Sequence, residues 1–267
     1  MTMRSMIGLA LSSAVCVSAA MAGGGPGLHD MDVGVIVVDG VIQTGRVEES
    51  VIVEARVFSS DITLFFGFPF ADDPGFDTTT GEFPAFSAVR LNLLDALRVW
   101  ENDNFDSIAT MDLGNEPEPM QVEVSFGQTT VLSSTTPDTL VNGPTFGVSG
   151  LGDIHVHPSH VLPQDSPEGL YLMRFELESN SGIETSAPFW FIYDWNADPA
   201  DLAMAIDWVE SDLIGGGIPG DLNGDGVVDG ADLAALLAQW GSDGAADLND
   251  DGIVDGADLA TLLANWS

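Results

Sequence analysis

Lysine is missing from this 267-residue chain, and cysteine occurs once, at Cys16. Six arginines stand against 42 aspartates and glutamates, giving a formal net charge of −36. A chain so short of cations has little with which to hold a phosphate backbone or an anionic bilayer, so the sequence speaks against nucleic acid and anionic membrane as partners. Self-repulsion of that size suits a saline or calcium-rich exterior, where screening is strong. Outside the N-terminal segment no apolar stretch approaches the length of a membrane-spanning helix, so no transmembrane anchor is expected. There is no GxSxG elbow and no HExxH motif, and 42 carboxylates offer no basis for choosing a glycosidase pair. No catalytic residue can be named from the sequence.

Residues 1–22 carry one positive charge at Arg4, an apolar run from Met6 through Ala20, and Ala20-Met21-Ala22 before Gly23. This is the pattern of a cleaved secretory signal peptide, which predicts a secreted, extracellular or cell-surface protein. Cys16 leaves with it, so the mature chain is expected to have neither disulfides nor a thiol nucleophile.

Residues 23–214 are long enough for one domain with a substantial core. Short runs rich in Val, Ile, Phe and Tyr, separated by Gly, Pro, Asp, Asn and Thr, predict strands over 33–38, 51–58, 62–66, 121–126, 153–157, 169–177 and 189–193. The alternation is clearest where Tyr171, Met173, Phe175 and Leu177 oppose Arg174, Glu176 and Glu178. Helical spacing is suggested over 87–100 and, with Leu202, Ile206 and Val209 behind an N-terminal Pro199, over 199–209. The stretch 70–119 reads as extended surface loops. The fold class expected is mainly β, a β-sandwich-like domain with one or two short helices. In Phe189-Trp190-Phe191-Ile192-Tyr193-Asp194-Trp195 the alternation sends most rings to the core, leaving only Trp190 or Trp195 to stack on a sugar.

All four histidines fall in two clusters, His29-Asp30-Met31-Asp32 and His155-Val156-His157-Pro158-Ser159-His160. Residues i and i+2 of a strand point to one side, so His155 and His157 present two imidazoles together, with His160 returning after the proline. A His or Asp from the first strand, His29 or Asp32, would complete a zinc or copper site of three or four ligands. The competing reading is a set of polar residues at the rim of the sandwich.

Past the Gly-rich linker 215–220, residues 221–267 contain the same loop twice, 26 positions apart. A 12-residue calcium loop supplies oxygens from positions 1, 3, 5, 7, 9 and 12, with Gly at 6 for the sharp turn. The first copy offers Asp221, Asn223, Asp225, the Val227 carbonyl, Asp229 and Asp232, with Gly226 at the bend. The second offers Asp247, Asn249, Asp251, the Ile253 carbonyl, Asp255 and Asp258, with Gly252. Leu233, Leu236, Leu237 and Trp240 follow the first loop at helical spacing, and Leu259, Leu262, Leu263 and Trp266 follow the second. Gly215-Gly216-Gly217-Ile218-Pro219-Gly220 cannot be an entering helix, so each unit is a loop plus its exit helix, and the two Leu/Trp faces are expected to pack together.

This tail resembles a type I dockerin, the calcium-folded module that plugs into cohesin domains of extracellular assemblies. The resemblance implies a small all-α module with two Ca²⁺ sites, a cohesin-like or cell-surface partner, and folding that depends on metal. Loop positions 10 and 11, which carry much of the cohesin contact in cellulosomal dockerins, are Gly-Ala in both copies. Dockerins are most often attached to polysaccharide-degrading hydrolases, so the resemblance also implies a polysaccharide-degrading or carbohydrate-binding body as an alternative to a binding or structural one. Two further readings stand beside these: an exported protein that binds transition metal through its histidines, and a tail that folds back on its own body as a calcium-stabilised clamp.

Overall fold

The structure is a computed structural model that describes residues 32–48, 51–112, 116–214, 220–222, 228–242, 244, 246–249 and 251–266. The signal-peptide segment, His29, and Asn223, Asp225, Gly226 and Val227 of the first tail loop lie outside the described residues.

The chain is mainly β. Its centre is a seven-stranded sheet organised by the eleven-residue strand Gly169–Ser179. One edge of that strand pairs antiparallel with Phe189–Trp195, which pairs in parallel with Val57–Asp61. The other edge is shared by Arg98–Glu101 and Ala88–Leu93. A five-stranded sheet runs in the order His155–Val156, Phe76–Thr78, Val33–Val38, Val41–Glu48, Val51–Glu54. A second runs Thr129–Leu132, Glu123–Phe126, Ser159–Val161, Phe68–Ala71, Thr63–Phe65. One face of the central sheet shares a single core with both, joining Tyr171, Met173, Phe175, Phe189, Phe191 and Tyr193 to Val33, Val35, Ile42 and Phe76 on one side and Ala71 and Val124 on the other.

The other face of the central sheet is covered where it is apolar and wet where it is not. Helix α1, Pro199–Trp208, starts on Asp198, whose carboxylate accepts the Ala200 N–H at 2.9 Å, with Pro199 in the first turn. Ala205 of this helix and Val209 just beyond it pack on Val57, Leu170, Leu172, Trp190 and Ile192. A π-helical turn, Val209–Ile214, continues the chain. The helix expected over 199–209 is therefore present. Neither sugar-stacking candidate is open to solvent: Trp190 is 5% exposed beneath α1, under the Arg56 guanidinium at 5.2 Å, and Trp195, in the core of the opposite face, is 9% exposed with its indole N–H donated to the Ser166 carbonyl.

Two expectations are corrected. Residues 87–100 form the strands Ala88–Leu93 and Arg98–Glu101. Val89, Leu91 and Leu93 are buried, while Arg90 and Asn92 reach Glu178 and Glu176 across the sheet, so a period of two outweighs the helical spacing. Residues 70–119 are not surface loops. They supply short strands and the buried side chains Phe76, Phe83, Leu97, Phe105 and Ala109, because strands of three to six residues leave room for polar turns between single core-facing residues. The strand Val41–Glu48, which had no counterpart among the expected strands, pairs with both Val33–Val38 and Val51–Glu54.

Since Trp190 lies between α1 and the central sheet, Trp190→Ala is expected to cost about 3–5 kcal/mol. Urea denaturation followed by far-UV circular dichroism measures this, and a loss below about 1 kcal/mol would contradict the packing.

Candidate metal centres

Three ligand-type side chains converge at the edge of the first five-stranded sheet. Asp32 precedes the strand Val33–Val38, which runs parallel to Phe76–Thr78, and the chain is zipped there by Val33 N–H to the Gly75 carbonyl at 2.9 Å and Gly75 N–H to Asp32 Oδ1 at 2.8 Å. On the far side of Phe76–Thr78 the two-residue strand His155–Val156 pairs antiparallel, setting His155 directly opposite Asp77. Topology thus brings together residues more than 120 positions apart.

The ligand atoms of Asp32, His155 and His157 all lie within 4.8 Å of one another. His157 Nε2 is 3.6 Å from Asp32 Oδ2, and the two imidazole centroids are 5.1 Å apart at 79°. Asp32 is buried, its side chain 1% exposed, whereas His157 and His155 are 32% and 40% exposed. His155 Nδ1 lies 2.6 Å from the buried carboxylate of Asp77. His157 Nδ1 faces Asp73 Oδ1 at 3.0 Å and the Asp72 carbonyl at 3.1 Å. Carboxylate and carbonyl oxygens only accept, so both Nδ1 atoms carry a proton, and Nε2 is the nitrogen through which each ring would ligate. Partial burial works against the His157 imidazolium, but Asp32, the Asp72 carbonyl and Asp73 outweigh it and hold its pKa above the ordinary value.

Gly75 completes the construction. A Cβ there would sit 2.7 Å from His157 Cε1 and Nδ1, so only glycine lets the ring lie against this turn while its N–H holds Asp32. Asp77, Asp73 and Gly75 were not legible as site residues, since they lie in the stretch that reads as loop. Phe76-Asp77-Thr78, one apolar residue followed by two polar ones, carries no strand alternation that could signal a buried strand.

His160 is placed elsewhere. It lies on Ser159–Val161, 1% exposed, packed on Phe175, Phe191 and Tyr193 with Nδ1 2.7 Å from the Tyr193 hydroxyl. Burial pushes its pKa down to about 3. It does not join the group, and His29 is outside the described residues.

In the tail, α2, Gly230–Ala238, and α3, Gly256–Ala264, begin in the same way. Asp229 accepts the Ala231 N–H and Asp255 the Ala257 N–H, each at 2.7 Å. The closing carboxylates Asp232 and Asp258, both fully buried, accept from Asp229 and Asp255 N–H at 2.8 and 2.7 Å and from Leu222 and Leu248 N–H at 2.8 Å. The Asp255 N–H, and then those of Leu248 and Asn249, hold the Asp258 carboxyl below the usual range against the opposing effect of burial.

The second loop wraps round Asp247, which accepts the Asp251 and Gly252 N–H groups at 3.2 and 2.6 Å, and Gly252 turns at φ +90°, as the sixth position of a calcium loop requires. Its side-chain donors are all oxygen, which fits a hard cation. Among the described residues its carboxylates are spread around backbone N–H groups and do not close to the spacing seen at Asp32, His155 and His157.

Val228, Leu236, Ala246, Val254 and Leu262 form the tail's core, with Leu222, Leu233, Leu248 and Leu259 partly buried against it. Gly220, at φ +106°, lies so close to α3 that a Cβ would meet Leu262 Cα at 2.7 Å. Of the expected Leu/Trp faces, Leu236 and Leu262 are buried in this core and Leu233 and Leu259 partly so. Leu237, Trp240, Leu263 and Trp266 stay about half exposed, because each helix is nine residues long and turns one narrow stripe inward.

No protein-family model matches this sequence. No curated protein is detectably similar to it.

A histidine whose folded pKa lies below its unfolded value stabilises fully above the unfolded pKa, near 6.5, and loses that contribution as pH falls toward the folded one. The pKa of about 3 for His160 therefore predicts that acid weakens the β body between about pH 6.5 and 3. At pH 4.5 the parent should have lost roughly 3 kcal/mol more than His160→Gln, each relative to its own value at pH 7. Urea unfolding of both proteins at the two pH values measures this, and equal losses would contradict the assignment.

Proposed function

We propose that this is an exported protein whose tail is a calcium-folded docking module of the type I dockerin kind, carried on a β-sandwich body of binding or structural type. One observation carries the reading: 26 residues apart, equivalent side chains sit in equivalent surroundings. Asp229 and Asp255 cap, Asp232 and Asp258 close the loops from buried positions, and Val228 and Val254 share the core with Leu236 and Leu262. An acidic tail without a module would have no reason to repeat its burial pattern with its sequence.

The residues that would hold calcium are Asp221, Asn223, Asp225, the Val227 carbonyl, Asp229 and Asp232 in one loop, and Asp247, Asn249, Asp251, the Ile253 carbonyl, Asp255 and Asp258 in the other. The ion would offset two of the four negative charges that each loop gathers in a chain with few cations of its own.

What the tail leaves uncovered supports docking. Leu237 on α2 with Trp240 just past its end, and Leu263 on α3 with Trp266 just past its end, make the same apolar pair twice, each residue 46–53% exposed. An apolar pair of this kind, repeated on a strongly acidic chain, suits burial against another protein. The occupant this reading names is a cohesin-like domain on a scaffold or cell surface. Gly-Ala at loop positions 10 and 11 shifts recognition from those small residues to the Leu/Trp pairs. Two near-identical faces would also let the partner bind in either of two orientations.

The test is binding of the full mature chain to a panel of cohesin domains, with calcium and with chelator. Leu237→Asp with Trp240→Ala, or Leu263→Asp with Trp266→Ala, is expected to weaken binding by about threefold or less, while all four together abolish it. Complete loss from one pair would sink the two-orientation reading. Absence of calcium-dependent binding to any cohesin would sink the docking reading itself.

A further inference from the structure

We propose that Asp32, His155 and His157 form a binding site for a divalent transition-metal ion of the zinc class, separate from the tail and independent of the docking reading. Three features support it. The first is the donor set. Two imidazoles and one carboxylate suit zinc-like ions rather than calcium, which prefers oxygen throughout. Zinc–ligand bonds of about 2.0–2.1 Å at tetrahedral angles put neighbouring ligand atoms roughly 3.3 Å apart. His157 Nε2 and Asp32 Oδ2 already stand at 3.6 Å, and the whole set is within 4.8 Å. The remaining closure falls to His155, the most exposed of the three at 40%.

The second feature is the outer ring of partners. Metal-binding histidines donate their other ring N–H to a carboxylate or carbonyl, which fixes the tautomer and raises the basicity of the ligating nitrogen. Asp77 does this for His155 at 2.6 Å, and Asp73 and the Asp72 carbonyl do it for His157. The Gly75 N–H holds the third ligand through Asp32 Oδ1.

The third feature is the space. The absent Cβ of Gly75 admits the His157 ring to within reach of Asp32, and the arrangement is distributed over three segments of the chain: Asp32, Asp72–Asp77 and His155–His157. A surface ion pair between His157 and a carboxylate would require none of this, since exposed pairs form readily without outer partners or a cleared turn. With three protein ligands, at least one coordination position remains for water or an external ligand, and both imidazoles are partly exposed.

The test is calorimetric titration of zinc into the metal-stripped full mature chain held in excess calcium, which occupies the oxygen-only loops. Cobalt(II) absorption serves as a second readout of coordination. One zinc equivalent is expected. His155→Ala and His157→Ala should each weaken it at least about 100-fold, Asp77→Asn about 10- to 100-fold through His155 alone, and His160→Gln not at all. His155→Ala, at a partly exposed position, keeps the test valid if Asp32→Asn fails to fold. Zinc uptake that is absent, or that persists unchanged in the His155 and His157 variants, would overturn the proposal, the latter by placing the ion on other carboxylates.

Discussion

The hydrogen bond from a backbone N–H to a carboxylate oxygen is the interaction on which this structure's polar design rests. With 42 acidic residues and six arginines, most carboxylates have no cationic side chain to meet. Backbone amide protons serve carboxylates throughout, including Asp95, which also meets Arg98, and Asp32, which also meets His157. Asp32 takes Gly75, Glu82 takes Val37, Asp95 takes Ala96 and Asp138, Asp194 takes Ala197, and Asp198 takes Ala200. Asp229, Asp232, Asp255 and Asp258 do the same at both tail helices. Each such bond is charge-assisted, so it compensates burial better than a neutral one, and it ties a side chain to the path of the backbone.

The same economy accounts for where the two proposed kinds of metal site lie. An amide proton satisfies one lone pair and carries only partial charge, so a place that gathers several carboxylates needs more than amides. In the tail loops the donors are oxygen and fit a hard ion. At the edge of the first five-stranded sheet they include two imidazoles already pinned by carboxylates, and fit a borderline one. The two proposed kinds of centre draw on one resource, acidic side chains positioned by backbone, and differ in the histidines.

The two tail helices were legible in the sequence because Leu recurs at helical spacing after each repeated loop; Asp229 and Asp255 cap them, and Asp232 and Asp258 are buried at equivalent places in both. The convergence of Asp32 with His155 and His157 was legible in outline, since strand periodicity puts His155 and His157 on one side. Asp77, Asp73 and Gly75 were hidden because sheet order, and not local pattern, sets Phe76–Thr78 between the two halves of the site. His160 shows the opposite failure. Proximity in sequence joined it to His155 and His157, yet it lies on Ser159–Val161, in a different sheet, where Tyr193 holds it in the core. In the body, the buried Trp190 could not be foreseen without knowing that α1 folds back over the central sheet.

The central claim is that the tail is assembled around calcium. Its most direct measurement is a calcium titration of the chelator-stripped mature chain by calorimetry, with far-UV circular dichroism followed on the same samples. The account predicts two equivalents of calcium taken up with a gain in helix as α2 and α3 form, both lost when Asp225 and Asp251 are replaced by alanine. Helix content unchanged by chelator, with no stoichiometric uptake, would contradict it.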